Sequence, residues 1–215
     1  MPVLGIDVSH NNGEIDWDAV ARSNVGFVYC KAAEGASITD PMFHENWEAI
    51  GRTTLLRGVY HFAQPSTSSA ERQAEHFAET VGVDWPRMLP PALDLERDGG
   101  LSPEVVLDWA RAFVSRAEAL FKRELMIYTG GLWRRTLGDP VVPEFGTRML
   151  WTARYGDQQP VVPRTWSRWD IWQFTDGVDG DVQSIPGVRG PVDCDRFRGE
   201  LAELQALALP APLAT

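Results

Sequence analysis

Apolar and polar positions follow one rhythm over the first two thirds of the chain and another over the rest. Up to about residue 140, short apolar runs alternate with segments of helical period, the pattern of a parallel βα protein. The runs 3–8, 26–32, 56–62, 89–95 and 125–128 predict strands, and each is followed by a helix start signal. Asp40-Pro41 offers a cap and a first-turn proline, Ser68 to Glu71 reads as a capping box, and Ser102-Pro103-Glu104 opens the longest helix. Val105, Trp109, Ala112, Phe113, Ala119 and Leu120 recur in that helix at roughly helical period, and Gly82 and Gly138 stand where helices should stop.

Beyond that point the runs 149–155, 169–174 and 188–192 still predict strands, but the Pro- and Gly-rich stretches between them are too short for covering helices. A regular eightfold βα barrel usually needs about 250 residues. The pattern therefore predicts an irregular TIM-like α/β barrel of about five βα units completed by three helix-poor strands. It is expected as a single catalytic domain over residues 1–209, with 210–215 a frayed tail.

Composition excludes several classes. With 44% hydrophobic and 10% aromatic residues among 215, the chain can bury a core of its own. Its net charge of −10 repels phosphate backbones and anionic lipid, so neither nucleic acid nor membrane is expected as a partner, and a monomer is the simplest state. Cys30 and Cys194 lie far apart without a CxxC or metal spacing and read as buried thiols. The opening MPVLGIDVSH has no basic region followed by a long apolar stretch. The expectation is a product made in the cytoplasm and released without a signal peptide. Nine tryptophans exceed what a core needs and suit a carbohydrate cleft.

Acidic residues gather at the predicted strand ends: Asp7, Glu34, Asp94, Glu96 and Asp193. In parallel βα folds these ends line the active-site mouth. A buried strand such as LPPALDLE should be apolar throughout, and carboxylates at i and i+2 on one side repel. That cost points to paired-carboxylate glycosidic chemistry, with one group protonating the leaving oxygen and others staying ionised. Glu96, with the longer side chain, is the expected acid; Asp94, Asp7 and Asp193 are expected to remain charged. The alternative is a structural network in which Asp94 and Glu96 pair with Arg97, Arg22 or Lys31.

The segments GIDVSHNNGEIDW (5–17), VYCKAAEG (28–35), RGVYHFA (57–63), PALDLE (91–96), MIYTGGLW (126–133), LWTARYG (150–156), WDIWQFTDG and GPVDCDRF (within 169–197) together resemble the Chalaropsis-type lysozymes, glycoside hydrolase family 25. The resemblance spans roughly residues 3 to 200. It implies a five-unit βα barrel completed by three strands, and hydrolysis of the β-1,4 bond between N-acetylmuramic acid and N-acetylglucosamine in peptidoglycan. By motif position, Asp7, Asp94, Glu96 and Asp193 correspond to the family's acidic site residues, with Glu96 as proton donor.

Tyr60, Phe62, Tyr128, Trp151, Tyr155 and Trp172 are the candidate walls for sugar rings, with Tyr60, Tyr128 and Trp151 leading, and Glu34 is a further candidate substrate contact. Trp17, Trp47, Trp85 and Trp109 read as core. His10 and His61 lack metal-ligand spacing and are expected to hydrogen-bond structurally, and DGVDGD (176–181) reads as a turn, not a calcium loop. No metal or cofactor is expected. Two rivals remain: a non-catalytic wall-binding module, and a hydrolase of another N-acetylhexosamine polymer such as chitin.

Overall fold

The computed structural model describes residues 2–82 and 87–208. Its strands are β1 (Val3–Val8), β2 (Val25–Glu34), β3 (Ile38–Thr39), β4 (Leu56–Phe62), β5 (Ala92–Asp94), β6 (Met126–Tyr128), β7 (Leu150–Ala153), β8 (Ile171–Thr175) and β9 (Asp193–Phe197). Eight of them close a barrel in the order β1-β2-β4-β5-β6-β7-β8-β9, while β3 pairs antiparallel with the end of β2 outside it. All barrel neighbours from β1 to β8 run parallel, and β9 closes the ring antiparallel to both β8 and β1.

Helices α1 (Trp17–Ala21), α2 (Phe43–Gly51), α3 (Ala70–Val81), α4 (Pro103–Phe121) and α5 (Pro143–Gly146) supply the crossovers, and α6 (Leu201–Leu207) follows the last strand. A π-helical turn at Leu132–Thr136 precedes α5. No helix separates β7 from β8 or β8 from β9. The architecture is thus five βα units completed by three helix-poor strands, as the two rhythms of the sequence predict.

Strand alternation divides the apolar residues between two layers. Phe27, Tyr29, Leu56, Tyr60, Met126, Tyr128, Trp151, Ile171 and Phe197 fill the barrel. Ile6, Val28, Val59, Leu93, Ile127, Leu150, Trp172 and Phe174 belong to the outer layer with the helices. Two glycines make room for the inner rings: a Cβ on Gly5 would sit 2.2 Å from the Phe27 ring, and one on Gly58 would sit 2.3 Å from Tyr29.

Several predicted boundaries shift for local reasons. β5 is confined to Ala92–Asp94 because Pro90 and Pro91 have no N–H to give a ladder. The expected strand at 188–192 is a loop: Gly190 has φ +85° and Pro191 lacks a donor, so pairing starts at Asp193. The buried stripe of α4 is Val106, Trp109, Ala110, Phe113, Ala117 and Phe121, whereas Val105 is exposed. The α3 cap is Ser69, whose side chain accepts from the Arg72 N–H, one residue later than expected. β3, too short to show a pattern, was not anticipated.

Trp17, Trp47 and Trp109 are buried, and Cys30 and Cys194 are buried free thiols. Trp85 and the tail at 210–215 lie outside the described residues.

Candidate active site

The carboxyl ends of the parallel strands open onto a cavity of about 210 Å³. Asp7 comes from β1, Lys31 from β2, Tyr60 and Phe62 from β4, Asp94 and Glu96 from β5 and its continuation, and Tyr128 from β6. Trp151, Gln173 and Asp193 come from β7, β8 and β9, with Ser9 and Asn11 from the 3-10 turn at His10–Asn12 and its cap, and Tyr155 from the loop after β7. The register explains the convergence. Phe62, Asp94, Tyr128 and Trp151 are successive Cα partners across four strands. Because β9 runs antiparallel, its first residue lies at the same end, and Asp193 is the Cα partner of Asp7. Asp193 therefore opens the last strand and does not follow it, contrary to the sequence reading.

Hydrogen bonds hold these groups in place. The Gln173 amide donates to Asp7 Oδ2 at 2.8 Å and accepts from the Tyr128 hydroxyl at 3.0 Å. Beneath them the Trp151 indole N–H donates to Asp195 Oδ1 at 2.8 Å. Asp94 is buried, and its Oδ1 has no hydrogen-bond partner among the described residues. Asp94 and Glu96 form no ion pair with Arg97, Arg22 or Lys31 among the described residues. Lys31 instead meets Glu34 at 2.5 Å, and Arg97 lies over the Phe62 ring.

Electrostatics set the protonation. Burial raises the Asp7 carboxyl well above the usual range, with Asp193 and Asp195 adding repulsion. Burial and the neighbouring Glu96 do the same to Asp94. Asp193 is pushed up to about 7 by burial, then by Asp176 and Glu96. Asp195, fully enclosed, is pushed up to about 8 by burial and Asp193, against the Trp151 hydrogen bond. The expectation that Asp94, Asp7 and Asp193 all stay ionised is thereby corrected: burial and mutual repulsion keep them from ionising together. Glu96 reaches solvent at the rim, yet the surrounding walls still raise its carboxyl against the pull of Arg97 and Lys31. Tyr60 and Tyr128, raised mainly by burial, keep their hydroxyl protons as donors.

The aromatic candidates separate by layer. Tyr60, Tyr128 and Trp151 line the cavity as floor, with Trp151 only 2% exposed and touching the rings of Tyr29, Tyr60 and Tyr128. Phe62 and Tyr155 stand at the rim, Tyr155 with 42% of its surface open. Trp172 does not line the cavity. It alternates outward on β8, packs on Trp169 and Phe174, and donates its N–H to the Arg154 carbonyl. Glu34 is also outside the lining: it holds Lys31 with one oxygen and accepts from Gln64 at 2.9 Å with the other. Burial alone would raise its carboxyl, but these two bonds keep it below the usual range.

Lys31, Gln173, Asp195, Ser9 and Asn11 were not proposed as site residues from the sequence. Gln173 in IWQFT and Asp195 two residues after Asp193 carry a usable signal, since each is a polar residue on the inward parity of a barrel strand. The remaining readings fall elsewhere. His61 is enclosed against Gln73, Phe77 and Phe113, and burial lowers its ring to about 3. His10 Nδ1 meets Asp40 at 2.7 Å. The 176–181 segment is a turn closed by Asp176, whose side chain accepts from the N–H groups of Val178 and Asp179.

A βα barrel whose strand ends bring four carboxyls together in an aromatic-walled cavity has the equipment of a glycosidase. The comparisons make the class specific: the chain belongs to Glycosyl hydrolases family 25, whose sequence model matches residues 6–183. Lysozyme M1 of Streptomyces globisporus is 35% identical, the match covering 96% of this chain and 71% of that protein. An N,O-diacetylmuramidase from Chalaropsis sp is 31% identical, covering 81% and 88%. The crystal structure of a bacterial lysozyme from Streptomyces coelicolor is similar with a TM-score of 0.88 at 34% identity, covering 97% of both chains. The chain is thus a glycoside hydrolase of the lysozyme, or muramidase, type.

Proposed function

We propose that the chain hydrolyses the β-1,4 bond between N-acetylmuramic acid and N-acetylglucosamine in bacterial peptidoglycan, acting at the cell wall. Glu96 is the general acid: its raised carboxyl proton passes to the glycosidic oxygen as the bond to the muramic acid anomeric carbon breaks. Negative charge shared by Asp94, Asp7 and Asp193 stabilises the oxocarbenium-like centre. Water then supplies hydroxyl to the anomeric carbon, and its remaining proton restores Glu96. Protonated Tyr60 offers a hydroxyl donor to the sugar from the floor, whereas the Tyr128 hydroxyl gives its proton to Gln173 and can only accept.

One observation carries this reading. Asp94 and Glu96, two residues apart, face the same cavity as Asp7 and Asp193, and no ion pair among the described residues neutralises them. Repulsion of that kind has no purpose in a passive binding surface. The test is Glu96→Gln with purified peptidoglycan. The variant should keep its thermal midpoint and lose at least about 100-fold in activity, and wild-type digests should yield fragments with reducing-end muramic acid. Wild-type activity in the variant, or products ending only in N-acetylglucosamine, would reject the assignment.

A further inference from the structure

Beyond Glu96 and Tyr155 the catalytic mouth continues into a hollow of about 360 Å³ walled by Arg135 and Arg154. A third hollow of about 300 Å³ shares both arginines and adds Arg134, so the two form one groove leading away from the acid. Its charge is opposite to that of the molecule. The chain carries −10 overall and the cavity four carboxyls, yet Glu96 is the only carboxylate among the residues lining this groove.

The cations are also uncompensated. Arg111, Arg116, Arg148, Arg168 and Arg196 each meet a carboxylate. Among the described residues Arg134, Arg135 and Arg154 meet none. The Arg154 guanidinium is held only by neutral acceptors, the Gln159 carbonyl at 2.9 Å and the Gln158 side chain. Placement comes from backbone irregularity. The π-helical turn Leu132–Thr136 sets Arg134 and Arg135 side by side above the strand ends. Gly131 lets Arg135 lie against the chain, since a Cβ there would fall 1.9 Å from a guanidinium nitrogen.

A planar, permanently charged fork held open beside a carboxylic acid suits a carboxylate ligand. We propose that this groove binds the carboxylates of the acidic peptide that the lactyl group of muramic acid carries. This rests on the peptidoglycan reading above and adds to it a contact that selects for the substituted polymer.

The experiment compares wild type with Arg135→Ala, Arg154→Ala and the double variant on two substrates: purified peptidoglycan, and the same material with its carboxylates converted to methylamides by carbodiimide coupling. New muramic acid reducing ends are counted. On native peptidoglycan the double variant should lose about tenfold in kcat/KM, through KM. On the amidated polymer its difference from wild type should vanish. Equal losses on both substrates would mean a structural role, and no loss on the native polymer would mean an idle groove; either overturns the proposal while leaving the muramidase reading intact. Failure of the wild type to release any muramic acid reducing ends would overturn both.

Discussion

The Gln173 side chain donates to Asp7 Oδ2 at 2.8 Å and is itself fixed by the Tyr128 hydroxyl, so a neutral amide in the middle of β8 orients a carboxyl from β1. A donor to a carboxylate favours its ionised form and opposes the burial that raises Asp7. Gln173→Met keeps most of the volume and removes the donor. Asp7 should then hold its proton to higher pH, and the acid limb of the kcat/KM profile should move upward by on the order of one unit. A lower plateau with an unmoved limb would show that Gln173 does not act through Asp7.

The enclosed carboxyls also predict how stability varies with pH. Asp193 and Asp195 are pushed up to about 7 and about 8 from 3.8. Between those values the folded chain keeps protons that the unfolded chain releases, so stability falls as pH rises from about 4 to about 8. The thermal midpoint should be higher at pH 5 than at pH 8. Asp195→Asn keeps an acceptor for Trp151 and cannot ionise; it should raise the midpoint at pH 8 by about 3 °C and change it less at pH 5. Calorimetry on both proteins checks this, and a midpoint that rises between pH 5 and pH 8 would contradict it.

Two aromatic residues of similar chemistry should respond oppositely to truncation. Tyr155 stands open at the rim, so Tyr155→Ala should lower kcat/KM roughly 3- to 10-fold with an unchanged melting temperature. Trp172 is packed on the far side of the sheet, and Trp172→Ala should cost about 3 to 5 kcal/mol of stability instead. Steady-state kinetics beside denaturant unfolding separates the two, and a stable, inactive Trp172→Ala would be inconsistent with its outward placement.

Gly5 is a packing requirement of the barrel interior. A methyl group there collides with the Phe27 ring, so Gly5→Ala should destabilise by about 1 to 3 kcal/mol. Adding Phe27→Leu should recover part of the loss, because the smaller side chain vacates the same space. A single variant as stable as wild type would show that the ring moves freely.

Much of the barrel was legible along the chain because local patterns carry it. The strand at 56–62 follows from its apolar run, the α4 start from Ser102-Pro103, and the α3 start to within one residue from the Ser68 to Glu71 signal. The carboxylates stood out because Asp94 and Glu96 interrupt a run that burial should keep apolar. What was missed belongs to strands whose inward residues are polar. β9 alternates Asp193 and Asp195 with Cys194 and Arg196, so hydrophobicity pointed to the preceding apolar loop.

Periodicity and motif spacing by themselves settled the alternating βα order and the change of rhythm after residue 140, and they singled out the acidic set that the fold gathers in one cavity. Only the closed barrel decided which face each side chain takes. Trp151 and Trp172 look alike in sequence, yet one floors the cavity and the other packs outside it, because strand parity is read against the curvature of the sheet. Barrel closure likewise brings Asp193 opposite Asp7 and encloses four aspartates in too little water to ionise together. Protonation depends on distance and burial across strands far apart in the chain, and those are properties of the folded state alone.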